Sequence, residues 1–310
     1  MTGSIPRLQA EDLLRAIDLL DPLAVVAEDL VGRPAPAQRR TGRFVAGLAS
    51  DPELTLVEDL GSGERCLLPT ACLRMVCAAA VASLAVRELH GTGVGTVAVF
   101  GGESPTDLLL AVIAAYLPNL SHVAVYAPAS GPEPPVDRAV AERLELAGIG
   151  LSVSGEARQT AFGASLFIVA ARDRGRLDVG TPAPGVLLIN ASGADLPDEL
   201  LDAIDQVYVD DLQLVVDNPH RAVVRQHLSG SDGAAEPLGA PREGWHRRQA
   251  GWRHRRRIET DLGRVLTGDH PGRTHVDDVL LVELLGLREL EVALAGRLLR
   301  TAIEHGLGKP

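Results

Sequence analysis

The residues best suited to ligand chemistry form a glycine turn between a strand pattern and a helix pattern. The run 96–100 is β-branched and aromatic, which is typical of a buried parallel strand. Gly101 and Gly102 follow and predict a tight turn. Ser104 then suits a helix N-cap, with Asp107 three residues after it. An open α/β sheet binds nucleotide phosphates at such a strand–turn–helix junction, so the sequence predicts a dinucleotide-type fold here.

The turn departs from the glycine spacing of a dinucleotide site. In the pattern G-x-G-x-x-G/A counted from Gly101, Glu103 takes the second glycine position and Thr106 the third. The Glu103 carboxylate suits the positive end of a helix but occupies the place of a pyrophosphate. Pro105, at the first helical position, removes one amide donor. We therefore predict a compromised phosphate site, and its cofactor-binding residues are Gly101, Gly102, Glu103, Ser104 and Thr106.

Composition excludes several classes of protein. The chain has 310 residues, 46% of them hydrophobic, and a formal charge of −11. These values indicate a large core and argue against a general nucleic-acid or membrane-surface protein. Lysine occurs only at position 309, so no core lysine can form a Schiff base or bind a substrate carboxylate. The longest apolar run, 76–86, is too short to cross a bilayer.

Cysteine and histidine usage gives no sign of a metal site. Cys66, Cys72 and Cys77 form no C-x-x-C pair, and the histidines lack H-x-x-x-H or H-E-x-x-H spacing. Residues 1–15 carry polar side chains throughout, unlike the apolar core of a signal peptide. These features predict a protein of the reducing cytoplasm without a dedicated metal site.

Hydrophobic periodicity predicts two regions with different organisation. The first region has helices at 10–20, 22–30 and 70–90, and short strands at 44–48, 54–59 and 65–68. From residue 96 strands and helices alternate, which predicts a parallel sheet with right-handed crossovers. The predicted strands are 96–100, 122–126, 149–153, 166–170, 186–190 and 206–209, with 213–216 as a further candidate. The predicted helices are 105–116, 136–147, 198–204 and 257–267, and 276–305 is predicted as one helix or a helix pair.

Several segments resemble the ornithine cyclodeaminase/mu-crystallin family. Residues 185–202 resemble its Asn-Ala-x-Gly-x-Asp-x-Pro motif and the Glu-Leu that follows. Residues 261–273 resemble its Leu-Gly-x-Val-Leu-x-Gly segment and the Pro-Gly-Arg ending, and 284–287 and 302–308 continue the match. The agreement covers residues 70–310.

This resemblance implies a fold, a chemistry and an assembly. The fold is α/β, with a Rossmann-type parallel sheet domain, 93–275, inserted into a smaller α/β substrate and dimerisation domain, 1–92 plus 276–310. The chemistry is hydride transfer between NAD(P) and an amino acid, imine or ketimine. Members include cyclodeaminases, amino-acid dehydrogenases, ketimine reductases and enzymes of specialised metabolism, and they typically form homodimers through the substrate domain.

Asp195 falls on the catalytic aspartate of the family motif. The resemblance implies that this carboxylate handles water or amine protons beside the reacting carbon. The residues themselves allow another interpretation, in which Asp195 caps a helix beginning near Pro197 and Asp198 completes a capping box. One carboxylate can serve both roles, so both interpretations stay open.

The family's substrate contacts are matched only in part. Its substrate arginine aligns with Cys77, and Arg74 lies three residues earlier on a similar helical face. Arg39 and Arg40 lie near the family's Pro-x-Arg contact and could bind a carboxylate bidentately. The family's substrate lysine has no counterpart. All three arginines are also compatible with solvated surface positions.

The end of the second predicted parallel strand departs from a dinucleotide site as well. Ala127 stands where a carboxylate would bind the adenosine ribose, and no arginine is present there for a 2′-phosphate. The resemblance thus implies NAD(P) as cofactor, whereas Glu103 and Ala127 argue against its ordinary binding mode.

A basic and aromatic segment, 245–257, contains both tryptophans, Trp245 and Trp252, and ends at Arg257. Arginine beside tryptophan can bind anions or stack on bases and rings. A partner could be an acidic peptide, a carrier protein, RNA or a phosphorylated substrate. The alternative is a solvated helix start that offsets the acidic remainder of the chain.

Three functions remain open on the sequence. The first is an NAD(P)-linked oxidoreductase or cyclodeaminase acting on an amino acid or cyclic imine in specialised metabolism. The second is a cofactor-free family descendant that binds a partner in a biosynthetic pathway. The third is an enzyme without nicotinamide, in which Glu103 and Asp195 act as acid and base across the cleft.

Overall fold

The computed structural model describes residues 5–32, 43–90, 93–101, 106–128, 135–170, 177–229 and 257–308. Its strands form two sheets of different type, one with three antiparallel strands and one with eight strands. Three of the predicted site segments lie partly or wholly outside these residues: Arg39 and Arg40, the turn 102–105, and the basic segment 245–257 apart from Arg257.

The smaller sheet is built from the first part of the chain, as predicted. It has the order β1-β2-β3 and is antiparallel throughout. Helices from both ends of the chain surround it. These elements are α1 (Ala10–Leu19), α2 (Pro22–Gly32), β1 (Phe44–Leu48), β2 (Leu54–Asp59), β3 (Arg65–Pro69), α3 (Thr70–Leu89) and α10 (Leu287–His305).

The larger sheet is parallel at every strand pair and confirms the predicted fold class. Its order is β10-β9-β11-β8-β7-β4-β5-β6. The strands are β4 (Thr96–Phe100), β5 (His122–Tyr126), β6 (Gly150–Ser154), β7 (Leu166–Val169), β8 (Leu187–Asn190), β9 (Gln206–Val209), β10 (Ile258–Asp261) and β11 (Leu280–Glu283). The helices between them are α4 (Asp107–Tyr116), α5 (Arg138–Leu146), α6 (Ala157–Ala161), α7 (Asp198–Leu201), α8 (Ala222–Ser229) and α9 (Leu262–Leu266).

The strand order reverses beside β4. The chain passes from β4 to β5 and β6 on one side, and then crosses to β7 on the other side. In open α/β sheets ligands bind at such a reversal, outside the carboxyl ends of the strands. The carboxyl edge next to β4 and β7 is therefore the place where the fold itself favours a ligand.

Helix α3 joins the two sheets through one hydrophobic core. It packs against α2, α4 and α10 and also against β7 and β8. With 20 residues and a mean hydropathy of 1.5 it is long and apolar enough to cross a membrane, but 78% of that window is buried inside the protein. Helix α3 is thus apolar all round because it is a core helix. Cys72 and Cys77 of this helix and Cys66 of β3 are buried and form no disulfide.

Four predicted elements differ in the structure. The region 257–267 begins with β10 before α9, and 276–305 contains β11 before α10. Residues 212–214 form a 3₁₀ turn instead of a strand, and α4 begins at Asp107. Short buried runs cannot be assigned to strand or helix by periodicity alone, which explains the first two differences.

Strand β11 comes from a segment that the sequence analysis assigned to the smaller domain. It pairs with β8 on one side and β9 on the other, in the middle of one half of the larger sheet. The segment 276–310, which the sequence assigned to the smaller unit, therefore contains a strand of the larger sheet. Only α10 returns to the smaller sheet, where it packs on β1, β2 and β3.

Arg273 connects several chain segments at the amino edge of the larger sheet, which is opposite the carboxyl edge. Its guanidinium donates to the carbonyls of Leu89 (2.6 Å), Asp278 (2.7 Å), Val276 (3.0 Å) and Gly185 (3.1 Å). These carbonyls belong to the end of α3 and to the entries into β8 and β11. Burial lowers the pKa of Arg273. The arginine of the family-like Pro-Gly-Arg ending is therefore a structural crosslink.

Gly185 enters β8 in a conformation that only glycine adopts without strain. Its φ is +81°, and an added Cβ would lie 2.8 Å from the Val276 carbonyl oxygen. We expect Gly185→Ala to lower the free energy of unfolding by about 3 kcal/mol, from left-handed strain and a backbone clash together. Urea denaturation measures this. Gly163→Ala is the matched control: its φ is +72° with nothing within 4 Å, so strain alone should cost about 1 kcal/mol. Equal losses would contradict the clash.

Candidate functional site

The described residues that flank the predicted phosphate turn, Gly101 and Thr106, lie at the strand reversal. Gly101 directly follows β4, and Thr106 is the N-cap residue of α4. Among the described residues, no side chain caps this helix, and the buried hydroxyl oxygen of Thr106 has no hydrogen-bond partner. Gly102, Glu103 and Ser104 lie outside the described residues, so the proposed conflict between Glu103 and a diphosphate stays a prediction.

Asp107 is the first residue of α4, and its carboxylate contacts the beginning of α5. Its Oδ1 accepts a hydrogen bond from the Asp137 amide at 2.8 Å, which ties the start of α5 to the start of α4. Burial raises the pKa of Asp107. Burial, and secondarily the charge of Asp107, also raises the pKa of Cys72 to about 11. The first turns of α3 and α4 therefore lie side by side at the carboxyl edge.

The end of β5 is placed as the sequence predicted. Ala127 follows Tyr126, the last residue of the strand, so no carboxylate stands at the position expected to bind ribose. The Tyr126 ring lies 5.8 Å from the Phe100 ring, and Phe100 lies 6.1 Å from Phe167. Aromatic packing thus supports the strand ends on either side of the reversal.

Asp195 caps a helix, but not the one that follows it in sequence. Helix α7 has Pro197 at its N-cap and no side-chain cap, so the predicted capping box with Asp198 is wrong. The Asp195 Oδ1 instead accepts the amide hydrogen of Ala222, the first residue of α8, at 2.9 Å. The reason is the turn after β8, in which Asn190 Nδ2 donates to the Ala194 carbonyl and directs Asp195 towards α8.

A buried ion pair supports Asp195 from inside the protein. Arg221 and Glu283 form a salt bridge with side chains only 6% and 2% exposed. Arg221 also donates to the Ala194 carbonyl at 2.8 Å, and its Nε lies 3.3 Å from Asp195 Oδ1. Asn190 Nδ2 donates to the second oxygen of Glu283 at 2.9 Å. Burial raises the pKa of Glu283, whereas the Arg221 guanidinium and the Asn190 amide stabilise the ionised carboxylate and oppose that rise.

The sequence interpretation missed Arg221 and Glu283. They are separated by 62 residues. Arg221 follows β9 and immediately precedes α8, whereas Glu283 ends β11, so the two meet only because β9 and β11 are neighbours in the sheet. One signal was present: Glu283 is the single charged residue in the apolar run 279–287. A lone charge in a buried strand indicates a partner elsewhere, although it does not identify that partner.

Arg225 is the outermost member of this group. Its Nη2 lies 3.5 Å from Asp195 Oδ2, and the two side chains are 55% and 38% exposed. Its Nη1 donates to the His220 carbonyl. Asp195 is therefore the carboxylate of the group that solvent and ligands can reach, because Glu283 is enclosed.

Arg74 lies on α3 and forms an ion pair with α10, the helix that packs on the smaller sheet. Its Nε donates to Glu291 Oε1 of α10 at 3.3 Å, with side chains 39% and 10% exposed. Burial raises the pKa of Glu291, and Arg74 opposes that shift. The substrate roles of Arg74, Arg39 and Arg40 stay predictions, since the last two lie outside the described residues.

The carboxylates at the ends of β9 and β10 serve as caps. Asp210 accepts amide hydrogens from Leu285 and Gly286 at 2.8 Å each, before α10. Asp261 accepts from the Arg264 amide at 2.9 Å, and a cavity of about 180 Å³ lies between them. Within the described part of the chain, no group of three or more His, Cys, Asp or Glu side chains is placed to hold a metal ion.

No protein-family model and no curated protein sequence matches the chain. Solved structures do match along almost its whole length. Thermococcus litoralis Δ1-pyrroline-2-carboxylate reductase, in complex with NADH and L-proline, aligns with a TM-score of 0.64 and 14% identity, covering 99% of this chain and 100% of that one. CmnK aligns with a TM-score of 0.64 and 19% identity over 98% and 97% of the two chains.

A probable ornithine cyclodeaminase from Bordetella pertussis Tohama I gives the same result, with a TM-score of 0.61, 16% identity, and 99% and 100% coverage. Identities this low establish a shared fold and leave the chemistry of the site to be argued from its residues. The resemblance found in the sequence is confirmed at that level. The chain has the fold of the ornithine cyclodeaminase and mu-crystallin-like proteins.

Proposed function

We propose that this chain is an NAD(P)-linked enzyme that acts on an amino acid or cyclic imine. One observation carries the proposal: Gly101, which follows β4 and opens the predicted phosphate turn, and Asp195, which follows β8, lie on the same carboxyl edge of one parallel sheet. Only β7 stands between those strands, so their ends are about 10 Å apart. A dinucleotide bound at the turn could therefore bring its reactive ring close to Asp195.

The described residues offer part of a dinucleotide site. The N-terminal end of α4, directed at the turn after Gly101, and the buried hydroxyl of Thr106, which has no hydrogen-bond partner among the described residues, suit a diphosphate. The nicotinamide, when bound, would accept or donate a hydride. Asp195 would accept a hydrogen bond from the substrate nitrogen and hold its proton. Ala127 leaves the adenosine ribose without a carboxylate, so we expect weaker binding than in an ordinary dinucleotide site.

Calorimetric titration of the protein with NAD(H) and NADP(H) tests this proposal. We expect a saturable isotherm, with Thr106→Val weakening the affinity about tenfold because it removes one hydroxyl donor without changing the side-chain shape. Thr160→Val is the matched control, since Thr160 is equally buried but lies in α6, where its hydroxyl donates to the Glu156 carbonyl. Absence of heat at millimolar dinucleotide would contradict the proposal.

A cofactor-free binding protein is the second candidate, and Ala127 at the end of β5 favours it. In that case the segment 245–257, with Trp245, Trp252 and Arg257, would bind an acidic peptide or protein partner. The same titration separates the two candidates. If no dinucleotide binds, Glu103→Gly should restore some affinity when repulsion at the turn is the cause.

The remaining parts of the proposal follow from the resemblance. We place the protein in the cytoplasm, in specialised metabolism, as a homodimer formed through the smaller sheet. In support, the free edge strand β1 carries Val45 and Leu48, which are 50% and 61% exposed. Exposed apolar side chains on a free edge strand are suited to contact a second copy.

A further inference from the structure

The two oxygens of the Asp195 carboxylate have different surroundings. Oδ1 accepts the Ala222 amide hydrogen at 2.9 Å and lies 3.3 Å from Arg221 Nε. Oδ2 meets only Arg225 Nη2, at 3.5 Å, among the described residues. One oxygen is therefore anchored to the protein, and the other faces outwards.

Arg221 cannot turn away from the anchored oxygen. It is 5% exposed, and its other contacts are the Glu283 carboxylate and the Ala194 carbonyl, both inside the protein. Glu283 is fixed in turn by Asn190 Nδ2 at 2.9 Å. The Ala222 amide donates the hydrogen bond that orients the Asp195 carboxylate, and the buried guanidinium, held on two sides, adds a fixed positive charge beside Oδ1 at 3.3 Å without a hydrogen bond from its Nε.

Arg225 holds the outward oxygen weakly. Its distance of 3.5 Å is at the outer limit of a hydrogen bond, and its side chain is 55% exposed. Exposed ion pairs contribute little because solvent screens them and long side chains lose freedom on pairing. A ligand nitrogen that carries the same charge and donates a shorter hydrogen bond can take its place.

We propose that Arg221 is a positioning residue for Asp195, and that a ligand's protonated nitrogen replaces the Arg225 guanidinium at Asp195 Oδ2. The ligand class is an amino acid or cyclic amine with a cationic nitrogen. The charges agree with this exchange: two carboxylates face two guanidiniums, and a cation that displaces Arg225 restores the balance. The identity of Asp195 as the substrate contact rests on the proposed function, whereas the exchange at Oδ2 rests on the contacts alone.

Affinity for L-proline, with N-acetyl-L-proline as the probe that lacks a cationic nitrogen, tests the exchange. Calorimetric titration should show that Arg225→Gln binds L-proline about fivefold more tightly than the unmodified protein does, because the competing guanidinium is gone. The affinity for N-acetyl-L-proline should not rise. Arg297→Gln removes the same charge from a comparable exposed ion pair with Glu28 and should leave both affinities unchanged.

A double-mutant cycle locates the effect. In Asp195→Asn the gain from Arg225→Gln should disappear, since the oxygen for which ligand and arginine compete has lost its charge. Arg221→Lys tests the positioning role. The melting temperature of this variant measures how much stability the substitution costs. At temperatures where the variant is fully folded, the ratio of its affinities for L-proline and N-acetyl-L-proline should be lower than in the unmodified protein. A preserved preference would remove Arg221 from the positioning role.

Two results would overturn the exchange at Oδ2. One is an unchanged or weaker L-proline affinity in Arg225→Gln, and the other is no binding of L-proline or L-ornithine to either protein at tens of millimolar. These outcomes are independent of the dinucleotide titration. If the protein binds a dinucleotide but Arg225→Gln shows no gain in L-proline affinity, the proposed function stands and the exchange is rejected. If Arg225→Gln gains affinity for L-proline but no dinucleotide binds, the exchange stands and the proposed function is rejected.

Discussion

Glu283→Leu is expected to lower the free energy of unfolding by about 3–5 kcal/mol. The leucine side chain fills about the same space as the glutamate at the end of β11, but it leaves the Arg221 guanidinium buried without its carboxylate. It also leaves Asn190 Nδ2 with one acceptor fewer. Equilibrium urea denaturation at neutral pH, followed by circular dichroism, measures the loss.

The double variant Arg221→Met/Glu283→Leu is the control for this prediction. It removes both charges, so no uncompensated ion remains, and it should recover most of the stability lost in either single variant. Asp195 would still accept the Ala222 amide hydrogen. A double variant that is less stable than Glu283→Leu would show that packing, rather than the unpaired charge, accounts for the loss.

Arg273→Met should cost about 3 kcal/mol of unfolding free energy. The substitution retains the length of the side chain but removes the donors for four carbonyls, on Leu89, Gly185, Val276 and Asp278. Hydrogen bonds from a charged donor are stronger than neutral ones, and the carbonyl of Leu89 ends α3, where a cation is favoured by the helix dipole. The loss should appear as a shift of the urea midpoint.

Arg264→Met is the matched control for Arg273. Arg264 lies on the neighbouring helix α9 and is exposed, so its loss should change stability by less than about 0.5 kcal/mol. A similar loss in both variants would indicate a general effect of removing positive charge from this acidic chain.

Local pattern was sufficient for most of the fold. The strand run 96–100, the helix 70–90 and the three short strands before it were all predicted within one or two residues. Their periodicity or β-branched composition distinguishes them without reference to the rest of the chain. Strand β11 was not predicted, because the four-residue apolar run 279–282 followed by a helix pattern gives the same signal as the beginning of a longer helix.

The sequence by itself determined most of the elements, the parallel sheet, the predicted turn after β4 and the place of Asp195 in the segment that follows β8. These follow from local propensity and from a motif that is contiguous in the chain. Tertiary structure alone decided that Asp195 caps α8, that Arg221 and Glu283 hold it, and that Arg74 binds Glu291. The reason is physical: side chains 27, 62 and 217 residues apart meet only after strand order and helix packing have placed them together.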